Sequence, residues 1–502
     1  MNTEDSVKNL TIGTGIIFIG SFLSKLFSYI FRIIAARSGM ADYGLLTLGV
    51  SLTVFISVFI TIGLDHGVLR YVSYFKEKND YSKVKMVIYT SMKITFILAF
   101  LVSVLLFIFS DFICAQFFPN LNQEKLSAII RIVSITIPFV TISRMFYASF
   151  RAFQIPKYEV YTKNIAEPFS KVILAFIFVS IGFGILAISL AYTISIVISM
   201  LIGYLLLQTI LRKYKVSIDK KGIFKDILRY SFPLVFVSLF FTLTLSLDTF
   251  MIGHYKTETD VGIYNAASPT AQLMFTAPSS ILALFLPILM ALYIGNKREE
   301  FIDLYKTVTK WIFIINLVLV TLFIIYSKEV LSIFFGAEYA SGYLALIILL
   351  VGFFISLIFH PAQNVLLIFK KSKLIFYNSI IALLINGVLN FLLIPKYGII
   401  GAAISTSFVL VLWGLLNFIQ SYICLKATPF KGSYLKVLFI TLIISVLFFN
   451  IKKYVMISNI YLLVIFSILF LFSVFILLLI TSSFDKNDIY ILSLIKKKLK
   501  KG

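Results

Sequence analysis

Six basic and two acidic side chains stand inside stretches that are otherwise apolar, and they set the chemistry open to this chain. Ser21, Lys25, Ser28 and Arg32 recur at i, i+4, i+7 and i+11, which places them on one face of a helix. Lys163, Glu167 and Lys171 recur every four residues, with Asn164 and Ser170 beside them. Arg131 and Arg144 share a third run with Ser134 and Thr141, and Asp248 stands near the end of a fourth. A charge held in an apolar run is costly unless it faces a cavity or a partner. Cations lining a cavity suit an anionic group such as a phosphate or pyrophosphate. The expected binding set is therefore Lys25, Arg32, Arg144, Lys163 and Lys171. Arg32, Asp248, Glu167 and Arg131 are the gate or coupling candidates.

Plainer readings exist for the same residues. Glu167 between two lysines can form an ion pair within its own helix. Lys25 and Arg32 can pair with Asp248 or Glu167 across a bundle. Lys93 and Lys310 lie close enough to span ends to reach water along their stems. His66, His254 and His360 are scattered, and Cys114 and Cys424 have neither metal-ligand nor disulfide spacing, so no metal or triad is expected. With no phosphate-loop motif either, no cofactor is expected.

The elements that must carry these residues are membrane helices. The 502 residues are 60% hydrophobic and 13% charged, and mean hydropathy is +1.00. A dissolved chain of this length needs far more polar surface, whereas about 20 apolar residues cross a bilayer as one helix. Apolar runs place spans near 11–36, 44–64, 86–109, 126–150, 161–182, 184–210, 228–253, 262–293, 307–326, 343–368, 374–393, 398–425, 437–451 and 459–482. The fold class is thus all-α integral membrane, with about 14 transmembrane helices. The eighth span holds Pro269, Pro278 and Pro287 and a polar stripe of Asn265, Ser268, Gln272, Thr276 and Ser279, so it should kink. Asn386 and Asn390 read as contacts between helices.

The formal charge of +23 does not point to nucleic acid, because the basic residues sit in loops between spans. The second-to-third loop carries Arg70, Lys76, Lys78, Lys83 and Lys85. The sixth-to-seventh carries Arg212, Lys213, Lys215, Lys220, Lys221, Lys225 and Arg229. Alternate loops are poor in Lys and Arg, which places both termini on the cytoplasmic side of a cell membrane crossed many times. Lys496, Lys497, Lys498, Lys500 and Lys501 read as an anchor to anionic lipid.

A repeat runs at a lag of about 218 residues. Asp42-Tyr43-Gly44-Leu45 matches Asp260-Val261-Gly262-Ile263, Phe117-Phe118 matches Phe334-Phe335, and Gly184-Ile185 matches Gly398-Ile399. The lag covers six spans, so the halves share orientation, as in parallel-repeat carriers with a site between two lobes. The expected organisation is an N-terminal lobe over 1–216, a C-terminal lobe over 217–430, and a terminal pair of spans with a basic tail over 431–502. Arg32 and Asp248 stand at nearly corresponding places in the two halves and are expected to approach as an outer gate. External loops are all short, which disfavours an enzyme such as a membrane glycosyl polymerase or ligase.

Four segments resemble the polysaccharide-repeat-unit flippases of the multidrug/oligosaccharidyl-lipid/polysaccharide exporter superfamily. They are Asp42-Tyr43-Gly44 through Gly63-Leu64-Asp65-His66-Gly67-Val68-Leu69-Arg70; Leu247-Asp248-Thr249-Phe250-Met251-Ile252-Gly253 with Val261-Gly262-Ile263-Tyr264-Asn265-Ala266-Ala267; the eighth-span prolines; and Leu393-Ile394-Pro395-Lys396-Tyr397-Gly398-Ile399-Ile400-Gly401-Ala402-Ala403. The resemblance implies two six-helix lobes related by a pseudo-twofold axis, two further helices and a central cavity. It implies a non-enzymatic carrier that moves a polyprenyl-(pyro)phosphate-linked oligosaccharide to the outer leaflet by alternating access. The partners implied are the lipid-linked oligosaccharide, membrane lipids and glycan polymerase or glycosyltransferase machinery. A drug/cation antiporter and a lipid II-type flippase share the fold and stand as alternatives; the first calls for buried carboxylates, where this sequence offers mainly cations.

Overall fold

The computed structural model describes residues 3–182, 184–214, 216, 224–430, 433–455, 457 and 459–480. Lys215, Lys220 and Lys221, and the terminal Lys496, Lys497, Lys498, Lys500 and Lys501, lie outside them. All regular structure among the described residues is helical. The chain divides into two compact units, Met1–Asn265 and Ala266–Gly502.

The first unit holds α1 (Thr3–Ala36), α2 (Met40–Thr61), α3 (Leu64–Glu77), α4 (Tyr81–Ile108), α5 (Ser110–Phe117), α6 (Gln123–Ser134), α7 (Thr136–Ala152) and the single turn α8 (Lys157–Glu159). A π-helical segment (Val160–Ala166) leads into α9 (Glu167–Ser180), followed by α10 (Ile185–Leu211), α11 (Phe224–Tyr255) and most of α12 (Glu258–Gln272). A 3₁₀ turn (Leu273–Phe275) then opens α13 (Thr276–Ile294) in the second unit. After it come α14 (Arg298–Ile325), α15 (Ser327–Phe334), a 3₁₀ segment (Ala337–Gly342), α16 (Tyr343–Ile368), α17 (Ser372–Tyr397), α18 (Ile399–Leu425), α19 (Ser433–Tyr454) and α20 (Ile460–Ile480).

Every expected span falls on a helix, and ten helices among the described residues are long and apolar enough to cross a membrane. The other four spans lie on α1, on the π segment with α9, on α11, and on α12 with α13. These carry Lys25 and Arg32, Lys163 to Lys171, Asp248 and the prolines. Many large apolar side chains face outward, among them Phe100, Leu101 and Ile108 on α4, Leu384, Val388 and Phe391 on α17, and Ile465, Ile468 and Phe472 on α20. Such faces have no place in water and suit hydrocarbon, where helices satisfy their own backbone. The chain is a multi-pass membrane protein.

Helix bounds repeat at the lag read from the sequence. Each of α4, α5 and α10 starts about 214–217 residues before α14, α15 and α18 respectively. At the open end of α2, a carbon added to Gly44 would lie 1.9 Å from the Glu258 carbonyl oxygen, and one added to Gly262 would lie 2.1 Å from the Met40 carbonyl. The two glycines occupy equivalent positions of the repeat and let α2 and α12 touch backbone to backbone. α11 also packs on α2 and α3, so this compact unit reaches beyond 216.

One stretch expected to be a loop is instead α3. Its Leu64, Val68, Val72 and Phe75 are buried at helical spacing, while Arg70 and Lys78 stay outside. Ile62 and Gly63, both left-handed, end α2 and start α3, and so aim Asp65 back toward the unit's interior.

Candidate functional site

Two prolines, Pro168 in the first unit and Pro269 four residues beyond its last residue, leave helical backbone groups to other partners. Pro168 has no N–H, so the helical ladder before it cannot close normally. The chain widens there into the π segment, in which the Glu167 N–H bonds the Thr162 carbonyl. Single π turns mark functional sites in many helices. α1 lies directly against this segment because Gly20 leaves room: a carbon there would meet Val160 Cγ1 at 2.2 Å. Pro269 leaves the Asn265 carbonyl without its helical donor, and the Tyr43 hydroxyl donates to it instead at 3.0 Å. The eighth span, expected to kink, is interrupted by the 3₁₀ turn Leu273–Phe275 between α12 and α13.

Two chambers lie inside this unit and share Val54 and Tyr192 in their walls. The larger, about 330 Å³, is lined by Asp65, Arg144, Tyr147, Arg151, Glu159, Lys163 and Glu167 among others. The smaller, about 260 Å³, has Ser28, Arg32, Tyr43, Lys171, Tyr192 and Asn265 in its walls. Together they hold five cations against three carboxylates, an excess of two positive charges (5 − 3).

The pairing is uneven. Lys171 Nζ lies 3.1 Å from Glu167 and 4.5 Å from the Tyr192 ring centre, and its side chain is only 10% exposed. Glu159 stands in ion-pair range of two cations, 3.7 Å from Arg151 and 3.9 Å from Lys163. Among the described residues Arg32 hydrogen-bonds only the Tyr43 hydroxyl, at 3.4 Å. Arg144 lines the same chamber as Asp65, but among the described residues no hydrogen bond or close ion pair holds its guanidinium. A planar five-donor group left open beside a cavity is suited to bidentate capture of a phosphate.

The sequence profile of the polysaccharide biosynthesis protein family matches residues 10–293, more than half of the chain. The chain belongs to that family. A second profile, for the MatE family, matches residues 233–392. An uncharacterised membrane protein of Methanocaldococcus jannaschii is 26% identical over 77% of this chain and 79% of its own length. A Shigella flexneri protein whose name assigns it to O-antigen transport is 24% identical, covering 76% of this chain and 90% of its own. The capsular polysaccharide biosynthesis protein CapF of Staphylococcus aureus is 30% identical over 36% of this chain and 46% of its own. Among solved structures, the lipid II flippase MurJ in an inward closed conformation superposes with a TM-score of 0.74 at 17% identity, covering 92% of this chain and 99% of that one. An inward-facing multidrug resistance MATE transporter gives 0.67 at 16% identity over 80% and 94%. These likenesses give the fold, and the profile gives the family that the four segments resembled.

Within this member of the polysaccharide biosynthesis protein family, Arg32, Arg144, Lys163, Glu167 and Lys171 line the two chambers. Lys25 is exposed and lines neither, and Arg131 points away to pair with Asp111 on α5. Asp248 is buried, accepts from the Tyr264 hydroxyl, and also lies outside both chambers. A chain of hydrogen bonds runs from Arg32 to the residue that follows Asp248. Arg32 bonds Tyr43, Tyr43 bonds Asn265, and Asn265 bonds Thr249 beside Asp248. The cations are not free as a set, because carboxylates neutralise most of them. Asp65, Arg151 and Glu159 were missed as site residues. Each stands outside the apolar runs, so hydropathy could not draw attention to it. The signals available were Gly63 ahead of Asp65 and the spacing of Glu159 four residues before Lys163.

Proposed function

We propose that this chain translocates a polyprenyl-(pyro)phosphate-linked oligosaccharide from the cytoplasmic to the outer leaflet by alternating access, as a carrier rather than a catalyst. The duplicated halves 1–216 and 217–430 serve as its functional lobes, with 431–502 as an appended pair. The observation that carries the reading is the open Arg144 guanidinium in the larger chamber, next to a smaller chamber in which Arg32 and Lys171 face no lining carboxylate. Arg144 and Arg32 receive the (pyro)phosphate, while Lys171 and Lys163 stay tied to Glu167 and Glu159 until the anion competes for them. The tyrosine and serine hydroxyls of Tyr147, Ser143 and Ser28 offer donors and acceptors for sugar. Lys25 and Arg131, though read from the sequence with this group, act from outside the chambers, and Asp248 with Arg32 forms the coupling or gate cluster.

The basic loops support a cytoplasmic location for both termini. An inside-negative membrane then favours outward passage of the anionic head by about 2.3 kcal/mol per charge per 100 mV. Glycan polymerases or glycosyltransferases are the partners expected to supply or consume such a lipid.

The test is translocation of a fluorescent polyprenyl-pyrophosphate oligosaccharide in proteoliposomes made with the full chain. Arg144→Ala should abolish it at normal protein yield, and Arg144→Lys should restore part, since charge returns without the fork. Undiminished transport by Arg144→Ala would remove the proposed anion site. A second readout is a strain lacking the protein, in which the lipid-linked glycan should build up on the cytoplasmic leaflet.

A further inference from the structure

The repeat supplies an internal control for a cavity in the second unit. In the first unit, the turn before α4 has Asn79 in the left-handed region (φ 56°), Asp80 as the helix cap, and the Asp80 N–H on the Phe75 carbonyl. The turn before α14 repeats this with Asn296 (φ 55°), Lys297 and the Leu292 carbonyl. The turn after α7 has Gln154 (φ 62°), and the turn after α16 has Lys370 (φ 57°). Backbone geometry at these two places is therefore the same, and only side chains differ.

What fills the space differs completely. In the first unit Tyr214, three residues past the end of α10, stacks on Tyr81 at 3.8 Å and lies 6.3 Å from Phe153. These rings pack on a core that includes Phe75, Val84, Ile210 and Leu211. In the second unit the residue three past the end of α18 is Thr428, which is exposed, and the counterpart of Tyr81 is Arg298. With the plug gone, a cavity of about 380 Å³ remains, walled by Leu292, Phe301, Phe369 and Leu425 and rimmed by Lys297, Arg298 and Lys426.

The charge has changed along with the volume. Asp80, paired to Lys83 at 2.7 Å, becomes Lys297, paired to Glu300 at 2.8 Å. Arg298 donates to the Leu425 carbonyl at 3.0 Å and is thereby held at the rim. Glu300 neutralises Lys297, and among the described residues no acid pairs with Lys426, so the rim keeps the charges of Arg298 and Lys426. All these groups stand at helix ends, the depth at which headgroups of a bilayer lie, with aromatic and aliphatic walls reaching inward.

We propose that this cavity binds an anionic glycerophospholipid of the adjoining leaflet, its phosphate between Arg298 and Lys426 and its glycerol and upper acyl carbons against Phe301 and Phe369. Basic pockets at the cytoplasmic ends of membrane helices recognise lipid headgroups in this manner. The site is separate from the two chambers and does not depend on what they carry.

The experiment is native mass spectrometry of the full chain released from detergent micelles containing equal phosphatidylglycerol and phosphatidylcholine. Phosphatidylglycerol should be the retained adduct. Lys426→Ala should weaken it about fivefold, the value of one surface cation near anionic lipid. Thr428→Tyr leaves every charge in place and should abolish the adduct by restoring the plug of the first unit. Equal retention of the two lipids, loss of the adduct to inorganic phosphate alone, or full retention by Thr428→Tyr with an unchanged melting temperature would each overturn the assignment.

Discussion

Substituting alanine for Gly44 or Gly262 tests whether the repeat is a physical contact as well as a sequence pattern. The added carbon would sit 1.9 Å from the Glu258 oxygen in one case and 2.1 Å from the Met40 oxygen in the other. Both obstacles are backbone atoms, so no rotamer change relieves them. Bringing the contact out to 3.0 Å requires α2 and α12 to part by about 1 Å, and overpacking of this kind costs about 1–3 kcal/mol. The same parting stretches the buried bond from Tyr43 to the Asn265 carbonyl, now 3.0 Å, beyond hydrogen-bond range, at about 1 kcal/mol more. The expected loss is therefore about 2–4 kcal/mol for either variant, and less than additive for the pair, because one separation accommodates both. SDS-induced unfolding of the detergent-solubilised chain measures it. Gly184→Ala is the control, since that position has φ −73° and open space around it. If Gly44→Ala and Gly262→Ala unfold with the control, the close seam between α2 and α12 is wrong.

Three further outcomes are expected. Lys171→Met should destabilise the protein by leaving the half-buried Glu167 unmatched, and Lys171→Met with Glu167→Gln should recover much of the loss, with a coupling of about 1–3 kcal/mol in a double-mutant cycle; additive losses would mean the pair contributes nothing. Pro269→Ala returns a donor to the helix, which then competes with Tyr43 for the Asn265 carbonyl; transport in proteoliposomes should fall while thermal stability holds or rises, and unchanged transport would dismiss a role for the break. Burial, with Asp111 nearby, pushes the Cys114 thiol up to about 12, so a thiolate reagent at pH 8 should label the half-buried Cys424 and spare Cys114. Equal labelling of the two by mass spectrometry would contradict the packing of α5.

Charge balance is where the structure changed the reading most. Cations such as Lys163 and Lys171 are conspicuous in an apolar run, but their partners are not equally conspicuous. Glu159 sits at the end of a polar turn, Asp65 lies just past a glycine break, and Arg151 closes α7. A carboxylate in a loop looks solvated until the fold carries it inward. The chambers consequently hold a modest positive excess and one conspicuously open guanidinium, that of Arg144, instead of a uniformly unpaired cluster.

Hydropathy alone determined the number and order of the membrane helices, because burying a backbone in hydrocarbon leaves the helix as the available solution for each apolar run. The repeat was legible for the same reason, since Gly44 and Gly262 recur wherever the backbone contact must recur. Tertiary structure alone decided which charges meet. Lys25 and Arg32 share one helix face in the sequence, yet only Arg32 reaches a chamber. Arg131 and Arg144 share one apolar run, yet the first pairs with Asp111 and the second lines a chamber. Helical periodicity reports angle about one axis, while pairing depends on distances between axes, and those are set by packing across hundreds of residues.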